Sequence, residues 1–299
     1  MNTYRAFGLL IQSEIAIEEL LSGSEEEPDV TVIWGKVPDT FENMAVDTPN
    51  LKISKDKYYS DIKNVARYYA EKGKLIIIEP NGISCMEDVK LYLLGSCMGA
   101  TLFQRRRLPL HGSCIIAGEK GILLTGASGA GKSTVAAVLM KKGCRMITDD
   151  LAAIDFNEIK EPIVYPAYPG QKLWEDSIAR IGIEEPKLSL NRLSGQLHKY
   201  NVKRAERFQN CIAPVRMIVE IIPSDIAELQ VEEVKGTRKL NVVFQNTYRK
   251  LLVEAMELRE WYFGSCVAVA NQVRVYKIMR PRNGHFENEI ADHILELVE

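Results

Sequence analysis

The middle of the chain alternates short apolar runs with one longer helical segment. Residues 122–125 are a short apolar run of the kind that forms a buried parallel strand. Residues 133–141 have the length and composition of a helix, and Gly143 is a suitable residue to end it. A second apolar run covers residues 144–148. Because a crossover through one helix joins parallel strands, this pattern predicts two strands that end at the same sheet edge, where α/β proteins bind ligands.

The remaining hydrophobic pattern predicts an α/β fold in two unequal units. The first part alternates apolar and polar positions as half-buried strands do. Ser84, with Glu87 three residues later, predicts the start of a helix that extends to about Arg106. We place a smaller, strand-rich, mixed α/β domain at residues 1–83 and a larger domain at residues 84–299. Strands are predicted at 4–11, 29–34, 74–78, 112–117, 151–154, 215–222 and 273–276, and further helices at 174–181 and from 288.

Composition and charge exclude several classes of protein. The 299 residues are 46% hydrophobic and 26% charged, as in ordinary soluble globular proteins. The net charge of −2 gives no basis for a nucleic-acid partner, and no segment predicts an export signal or a membrane span. The six cysteines lack C-x-x-C spacing, which favours a reducing compartment over disulfides or a zinc site. We expect a cytoplasmic protein that binds neither nucleic acid nor membrane.

The segment between the first apolar run and the helix matches the phosphate-loop pattern G-x-x-x-x-G-K-[ST]. Glycines let backbone N–H groups approach phosphate oxygens, and the helix start adds free N–H groups and a favourable dipole. In this pattern Lys132 reaches the β- and γ-phosphates, and the Ser133 hydroxyl binds magnesium. A Gly/Ser-rich turn without a ligand does not account for the complete motif. The predicted nucleotide-binding residues are Gly126, Ala127, Ser128, Gly129, Ala130, Gly131, Lys132, Ser133 and Thr134.

Two aspartates, Asp149 and Asp150, directly follow the second apolar run. Successive strand side chains point to opposite faces, so both carboxylates can face the site only if the strand ends before them. One carboxylate then holds the metal, and the other accepts the proton of an attacking hydroxyl. We assign Asp149 as the base and Asp150 with Ser133 as metal ligands, although the residues do not decide which aspartate faces the hydroxyl. An acidic turn that only caps the next segment is the structural alternative.

Other candidate residues flank this unit. His111 precedes the strand at 112–117, where a packing histidine and a functional one fit equally well. The loop at 165–170 is rich in Pro and Gly and is suited to form a substrate rim. With the basic residues of 192–207 it predicts a groove for an acceptor peptide, although each of these residues taken singly is typical of surface charge.

These motifs together resemble the catalytic domain of HPr serine kinase/phosphorylase. The resemblance covers roughly residues 105–285 and rests on Leu-His-Gly at 110–112, GASGAGKST at 126–134 and ITDDLAAI at 147–154. It implies a P-loop kinase domain that uses ATP and Mg²⁺. The residues to which it gives catalytic or metal-binding roles are His111, Lys132, Ser133, Asp149 and Asp150.

The chain departs from that family at one motif and resembles a subgroup of it elsewhere. The family's signature R-G-x-G-I-x-N-V has no counterpart here, which argues against phosphorylase activity and against HPr as the substrate. Segment 165–174 and the N-terminal strands are similar to stand-alone HPr-kinase-like proteins of paeninodin-type lasso-peptide clusters. That resemblance implies phosphorylation of the C-terminal serine of a ribosomal precursor peptide. The sequence leaves a homo-oligomer open.

Three classes of function use such a loop. A serine kinase accounts for the loop, the metal ligand and a second carboxylate, and a kinase that acts on HPr itself is its nearest variant. A nucleotide-hydrolysing switch or motor is the second class, but the chain has no guanine-selective N-K-x-D motif and no obvious late acidic strand typical of motor ATPases. The third class is a non-catalytic nucleotide-binding regulator, in which both aspartates are structural.

Overall fold

A computed structural model describes residues 1–82, 85–184, 189–191 and 199–298. A π-helical turn, Leu93–Cys97, joins the first two helices, and a 3₁₀ turn covers Ala205–Arg207. Strands β1 to β20 span, in chain order, Asn2–Ala6, Leu9–Ser13, Leu21–Ser22, Val30–Trp34, Val46–Thr48, Leu51–Ile53, Lys57–Ile62, Ala66–Glu71, Leu75–Pro80, Leu108–Ala117, Lys120–Thr125, Arg145–Thr148, Leu151–Phe156, Pro162–Val164, Gly170–Trp174, Ser189–Asn191, Lys199–Lys203, Ala213–Ser224, Gln230–Val234 and Arg274–Pro281. Helices α1 to α8 span Met86–Tyr92, Met98–Gln104, Lys132–Lys141, Glu175–Ile181, Arg238–Gln245, Leu251–Ala255, Arg259–Gln272 and Glu287–Val298.

The first sheet has nine strands in the order β3-β1-β2-β4-β9-β8-β7-β6-β5. Its first two strands correct a prediction, because residues 4–11 lie in a hairpin and not in one strand. Phe7 and Gly8 form the turn between β1 and β2, with φ of 57° and 70°. Positive φ at both central residues is typical of a two-residue hairpin turn, but Phe-Gly lacks the Asn-Gly or Asp-Gly signature that identifies such turns in a sequence.

A helical layer covers this sheet. β7 and β8 pair antiparallel and carry Tyr58 and Tyr68, both of which are buried. The segment formed by α1, the π-helical turn and α2 packs on β8. It begins at Met86 with Cys85 at the N-cap position, and the predicted cap, Ser84, lies outside the described residues. The predicted long helix is therefore present, interrupted by one π-helical turn.

The second sheet brings several strand ends to the phosphate loop. β11 pairs antiparallel with β10 and parallel with β18, and β18 pairs parallel with β20. β12 pairs antiparallel with β10, so β11 and β12 run in the same direction with β10 between them. The prediction that these two strands end at one edge is confirmed, although they are not neighbours. Glu220 of β18 is in register with Thr125, the last residue of β11.

Two hydrophobic cores support the second sheet. α3 and α8 pack together in one core, which includes Val135, Leu139 and Ile290. The other core extends from the N-terminal sheet through the helical segment into β10 and α7. The domain boundary between residues 83 and 84 stays a prediction, since both residues lie outside the described part of the chain. No described helix is long and apolar enough to cross a membrane.

Candidate active site

The phosphate loop connects the end of β11 to the start of α3. Gly126 has φ of 131°, and a Cβ atom at this position would lie 2.4 Å from the carbonyl oxygen of Ile221. Only glycine fits both this backbone conformation and this close approach. α3 begins at Lys132, directly after the left-handed Gly131. The free N–H groups of its first turn therefore belong to the loop, which is an arrangement that binds anions.

Lys132 folds back over the loop. Its ammonium donates hydrogen bonds to the carbonyl oxygens of Gly126 at 2.8 Å and Ala127 at 3.0 Å, and the residue is 8% exposed. Burial lowers the pKa of Lys132, while the carboxylates of Asp150 and Asp149 act in the opposite direction. The ammonium is thus held beside the loop backbone, where phosphate oxygens can replace the two carbonyl groups as its partners.

Asp149 is bonded to the loop and to the strands on either side. Its Oδ1 accepts hydrogen bonds from the hydroxyl of Ser133 at 3.0 Å and from the hydroxyl of Ser113. Its Oδ2 accepts the backbone N–H of Lys172 at 2.9 Å. Asp149 is buried, and its carboxylate contacts the hydroxyl that phosphate loops use to bind magnesium.

Asp150 has a different set of partners. Its φ of 73° lies in the left-handed region, which is a strained conformation for a residue other than glycine. Its Oδ2 lies 2.9 Å from Nζ of Lys172, and its Oδ1 lies 3.4 Å from Nδ1 of His111. Burial would raise the pKa of Asp150, but the charge of Lys172, joined by that of His111 when the ring is protonated at low pH, outweighs burial and holds this pKa well below its ordinary value. Burial would lower the pKa of Lys172, but Asp150 outweighs it and raises that pKa, so the two groups form an ion pair at neutral pH.

His111 lies between Asp150 and the loop. Its Nδ1 is 3.1 Å from the carbonyl oxygen of Asp150, and its own carbonyl oxygen accepts the hydroxyl of Thr125 at 2.9 Å. Burial and the ammonium of Lys132 lower the pKa of His111, so the ring is neutral at pH 7. An Nδ1 that faces a carbonyl oxygen carries the proton, which leaves Nε2 as a hydrogen-bond acceptor.

His111 lines two cavities, and the first, cavity A, is lined by most of the phosphate loop. Its volume is about 330 Å³. Two of its contacts brace the loop, since Nε of Arg280 donates to the carbonyl oxygen of Ala130 at 3.0 Å and Thr134 donates to Ser177 at 3.3 Å. Besides residues 128–135, the lining of cavity A includes His111, Asp150, Lys172, Trp174, Asp176, Ser177, Arg180, Lys199, Arg280, Arg282 and Phe286.

Cavity B, of about 540 Å³, is bounded by the first two loop residues, Gly126 and Ala127, and by the chain that follows α5. Glu220, which is 6% exposed, lines it and accepts the side-chain amide of Asn246 at 2.8 Å. Oδ1 of Asn246 accepts the backbone N–H of Gly126 at 3.1 Å. These bonds connect β18 and the end of α5 to the first residue of the loop. The lining of cavity B is His111, Gly126, Ala127, Glu220, Gln245, Asn246, Thr247, Tyr248 and Arg249.

The oxygen atoms beside the loop fit a nucleotide with one magnesium ion. The Ser133 hydroxyl and the Asp149 carboxylate are oxygen ligands that lie 3.0 Å apart. Mg²⁺ in nucleotide sites takes one or two such protein groups and completes its shell with phosphate oxygens and water. No group of three or more His, Cys, Asp or Glu residues in the described chain could hold a metal ion by itself, here or elsewhere. A magnesium ion would therefore be held by Ser133, Asp149 and the phosphates.

The prediction that residues 165–170 form an exposed substrate rim is wrong. Ala167 and Tyr168 are 2% and 6% exposed, and the carbonyl oxygen of Pro166 accepts the backbone N–H of Phe7 at 2.7 Å. The loop is packed against the N-terminal hairpin. Its Pro and Tyr residues fill space between the two sheets, which the sequence pattern does not distinguish from an open loop.

The predicted basic groove of residues 192–207 is only partly described. Residues 192–198 lie outside the described part of the chain. Lys199 lines cavity A, whereas Arg204 is buried and donates its backbone N–H to the carbonyl oxygen of Pro169 at 2.8 Å. Of residues 199–207, only Lys199 lines cavity A.

Several site residues were missed by the sequence analysis, and three of them lie on strands. Lys172 pairs with Asp150, Ser113 donates to Asp149, and Glu220 supports Asn246. Each is a single polar residue in a strand far from the motif, so no local spacing marks it. The one available signal is an isolated acid in the apolar run 215–222, which contains Glu220.

Comparison with known proteins gives a partial match centred on this site. Residues 104–172 match the family model described as HPr Serine kinase C-terminal domain. The HPr kinase/phosphorylase of Clostridium acetobutylicum is 44% identical over 119 residues, which cover 34% of this chain and 38% of that protein. That of Clostridium botulinum is 51% identical over 49 residues, which cover 16% of each protein. The match thus spans well under half the length of either relative.

A solved structure also aligns with a large part of the chain. The HPr(Ser) kinase/phosphatase of Coxiella burnetii is 13% identical, with a TM-score of 0.32, over 64% of this chain and 92% of that one. The family model covers His111, the phosphate loop, both aspartates and Lys172, all of which meet at one sheet edge. The stretch that carries this site is therefore similar to the C-terminal domain of HPr serine kinase.

Proposed function

We propose that this protein is an ATP-dependent kinase that transfers the γ-phosphate to a serine hydroxyl of a peptide or protein. The observation that supports this proposal is that the two aspartates contact different groups. Asp149 contacts Ser133 of the loop, and Asp150 faces His111 and Lys172 at the loop opening. A site that only binds a nucleotide has no need for the second group, whereas phosphoryl transfer requires a residue that orients the attacking oxygen, here assigned to a serine hydroxyl.

The nucleotide side of the reaction uses the loop. We assign the N–H groups of residues 126–134 to the phosphates of ATP and Lys132 to the charge that develops on the γ-phosphate. Magnesium, when bound, neutralises charge on the phosphates. Ser133 and Asp149 are the residues suited to hold it, because their oxygen atoms already contact each other.

The acceptor side of the reaction uses Asp150. This assignment reverses the roles drawn from sequence, in which Asp149 was the base and Asp150 the metal ligand, because Ser133 bonds to Asp149. The ion pair with Lys172 keeps Asp150 ionised, so it can accept a hydrogen bond from a serine hydroxyl and orient it. In a loose transition state the proton leaves the hydroxyl late, so orientation contributes more than basicity.

The acceptor we propose is the C-terminal serine of a lasso-peptide precursor. The relatives are named for HPr, but the chain lacks the glycine-rich signature of true HPr enzymes and resembles the kinases of lasso-peptide clusters. HPr itself is the alternative acceptor, and a non-catalytic nucleotide-binding regulator is the alternative function.

Mass spectrometry of acceptors tests this assignment. Serine-ended precursor peptides and HPr are incubated separately with the protein, ATP and Mg²⁺, with Lys132→Ala as the inactive control. The proposal predicts a gain of one phosphate on the terminal serine and little or none on HPr. Phosphate on HPr alone would assign the HPr activity, and phosphate on neither acceptor would favour the regulator.

A further inference from the structure

Two buried glycines form a notch in the helical segment that consists of α1, the π-helical turn and α2. Gly95 lies in the π-helical turn and Gly99 in α2. The side chain of Tyr248 fills this notch, since a Cβ atom at position 99 would lie 2.7 Å from Cε1 and 2.8 Å from Cδ1 of its ring. Carbon atoms that are not bonded pack at about 3.5–4.0 Å. The ring therefore fits against the helix only because residue 99 has no side chain.

The backbone at Tyr248 is bonded to the strand that carries His111. The backbone N–H of Tyr248 donates to the carbonyl oxygen of Pro109 at 2.9 Å, and that of His111 donates to the carbonyl oxygen of Asn246 at 2.8 Å. An antiparallel β-bridge between these two hydrogen bonds joins the same two segments. The two aromatic residues are thus held side by side on neighbouring segments.

The ring of Tyr248 packs beside the ring of His111. Their centres are 6.1 Å apart and their planes are inclined at 44°. Nδ1 of His111 lies 3.1 Å from the carbonyl oxygen of Asp150, which has the left-handed φ of 73°. Functional side chains keep their geometry when packing fixes the rotamers of the residues that support them. Tyr248 is therefore placed to hold the imidazole in the orientation that bonds to the turn at Asp150.

The helical segment also contacts the N-terminal sheet. The hydroxyl of Tyr68 on β8 donates to the carbonyl oxygen of Val89 in α1 at 3.0 Å. Residues 93–103 are all buried, and α2 contacts both β8 and β10. Because protein interiors are close-packed, a segment enclosed in this way passes a displacement on to its neighbours. A π-helical turn inside such a segment is also a feature that occurs frequently at functional sites.

We propose that Tyr248 is a positioning residue through which the helical segment of the N-terminal half controls the geometry of the active site. The glycine notch sets the position of the Tyr248 ring, this ring sets the orientation of His111, and His111 holds the turn at Asp150. The consequence for phosphate transfer rests on the proposed function, in which Asp150 orients the serine hydroxyl. The packing of Tyr248 against His111 does not depend on that function.

A double-mutant cycle between positions 99 and 248 tests this role. Gly99→Ala places a methyl group where the ring lies, so the kcat for transfer to a serine-ended peptide should fall roughly 10-fold or more, with the KM for ATP unchanged. Tyr248→Ala should cause a similar loss. Adding Gly99→Ala to Tyr248→Ala should cause no further loss, because the methyl group then has no ring to displace. Tyr248→Phe keeps the ring and should retain the wild-type rate.

Two other glycines provide matched controls. In the described structure a Cβ atom on Gly264, in α7, would meet no atom within 4 Å apart from its own chain neighbours and helix backbone, so Gly264→Ala should retain the wild-type rate. A Cβ atom on Gly95 would lie 3.4 Å from the hydroxyl oxygen of Tyr248, which is an ordinary contact distance. Gly95→Ala should therefore reduce the rate less than Gly99→Ala does.

A second readout requires no kinase activity. The ring resonances of His111 in an NMR spectrum, identified by their loss in His111→Gln, report on the surroundings of the imidazole. Gly99→Ala should shift these resonances when Tyr248 is present and leave them in place in the Tyr248→Ala background. Gly264→Ala should shift them in neither background. A loss of stability alone would not move the His111 resonances of the folded protein.

The two readouts separate failure of this inference from failure of the proposed kinase. Shifted His111 resonances in Gly99→Ala, in a protein that transfers no phosphate, would support the role of Tyr248 and contradict the kinase. Unchanged His111 resonances in Gly99→Ala, or losses of rate that multiply in the double variant, would overturn the role of Tyr248 even if phosphate were transferred. If Gly99→Ala does not fold, equal and wild-type rates in Tyr248→Ala and Tyr248→Phe would overturn it.

Discussion

The proposed nucleotide half of the site comes from one continuous stretch, residues 126–134, whereas the proposed acceptor half is assembled from distant parts of the chain. His111 comes from β10, Asp150 from the turn before β13 and Lys172 from β15. The first half depends on backbone geometry that glycine and a helix start specify locally. The second depends on strand pairing. We therefore expect nucleotide binding to depend mainly on the loop, and binding of the acceptor to depend on the tertiary fold.

Lys132→Ala should have the largest effect on the rate of transfer, because Lys132 is assigned to the γ-phosphate, the group that passes from ATP to the peptide. The γ-phosphate loses its main side-chain cation, so transfer should fall by roughly 10³-fold or more. A coupled assay for ADP with a serine-ended peptide measures this loss. Lys141→Ala removes a lysine at the far end of α3 and serves as the control. Transfer at near wild-type rates in Lys132→Ala would mean that the loop is not the site.

Substitution of the two aspartates should impair transfer in different ways, and this difference distinguishes the acceptor half from the nucleotide half. Asp150→Asn should leave nucleotide affinity intact and lower the rate of transfer by roughly 10²-fold, because the acceptor is no longer oriented. Asp149→Asn should raise the magnesium concentration needed for half-maximal rate by roughly 10-fold or more. Titrations of ATP, peptide and Mg²⁺ distinguish these effects. An equal change in magnesium requirement in both variants would show that neither aspartate is dedicated to the acceptor.

Lys172→Met should shift the pH dependence of transfer. Lys172 and His111 hold the pKa of Asp150 below its ordinary value, so Asp150 remains ionised as the pH falls. Without Lys172, burial raises this pKa, and the loss of activity on acidification should begin at a higher pH. Lys172→Arg keeps the charge and should keep the wild-type profile. The rate of transfer between about pH 4 and 8 is the measurement, and an unchanged acid limb in Lys172→Met would contradict the assignment of Asp150.

The same ion pair contributes to stability with a defined sign. Because folding lowers the pKa of Asp150, its ionised carboxylate stabilises the fold at pH values above the pKa of the unfolded state. This stabilisation is lost as the pH falls through the pKa of the folded state. Because folding raises the pKa of Lys172, its ammonium stabilises the fold at pH values below the pKa of the unfolded state. This stabilisation is lost as the pH rises through the pKa of the folded state. Both groups therefore stabilise the fold fully at neutral pH.

Asn246→Ala should have the smallest effect on chemistry and a clear effect on stability. The variant leaves the backbone N–H of Gly126 and Oε1 of Glu220 without their partner. Unsatisfied buried groups of this kind cost about 1–3 kcal/mol in free energy of unfolding. Urea denaturation measures this cost, and saturating ATP should recover part of it. A loss of transfer larger than that of Asp150→Asn would place Asn246 in the chemistry itself.

Sequence reasoning was most successful where function depends on neighbouring residues. The strand ending at Thr125, the helix from Lys132 and the end of β12 before Asp149 follow from local pattern and are confirmed. The sequence could not show which aspartate meets Ser133, since this depends on the left-handed turn at Asp150. Partners such as Lys172 are fixed by strand pairing, which has no local signature.

The pattern was misleading where a common composition has two structural uses. Pro, Tyr and Gly at residues 165–170 describe an exposed rim and a packed connection equally well, and only the contact between Phe7 and Pro166 decides between them. At the N-terminus, apolar residues continue through the turn at Phe7, so the hairpin resembled one strand. Both errors lie outside the motif, where tertiary packing and not local spacing determines the structure.

Transfer of label from [γ-³²P]ATP tests the central claim most directly. The protein is incubated with labelled ATP and Mg²⁺, first with water alone and then with serine-ended precursor peptide, for the wild-type protein and Asp150→Asn. We expect slow release of label to water, rapid labelling of the peptide by the wild-type protein, and loss of peptide labelling in Asp150→Asn with unchanged ATP binding. Release to water that is equally fast with and without peptide, and the same in both proteins, would contradict the assignment of a serine kinase.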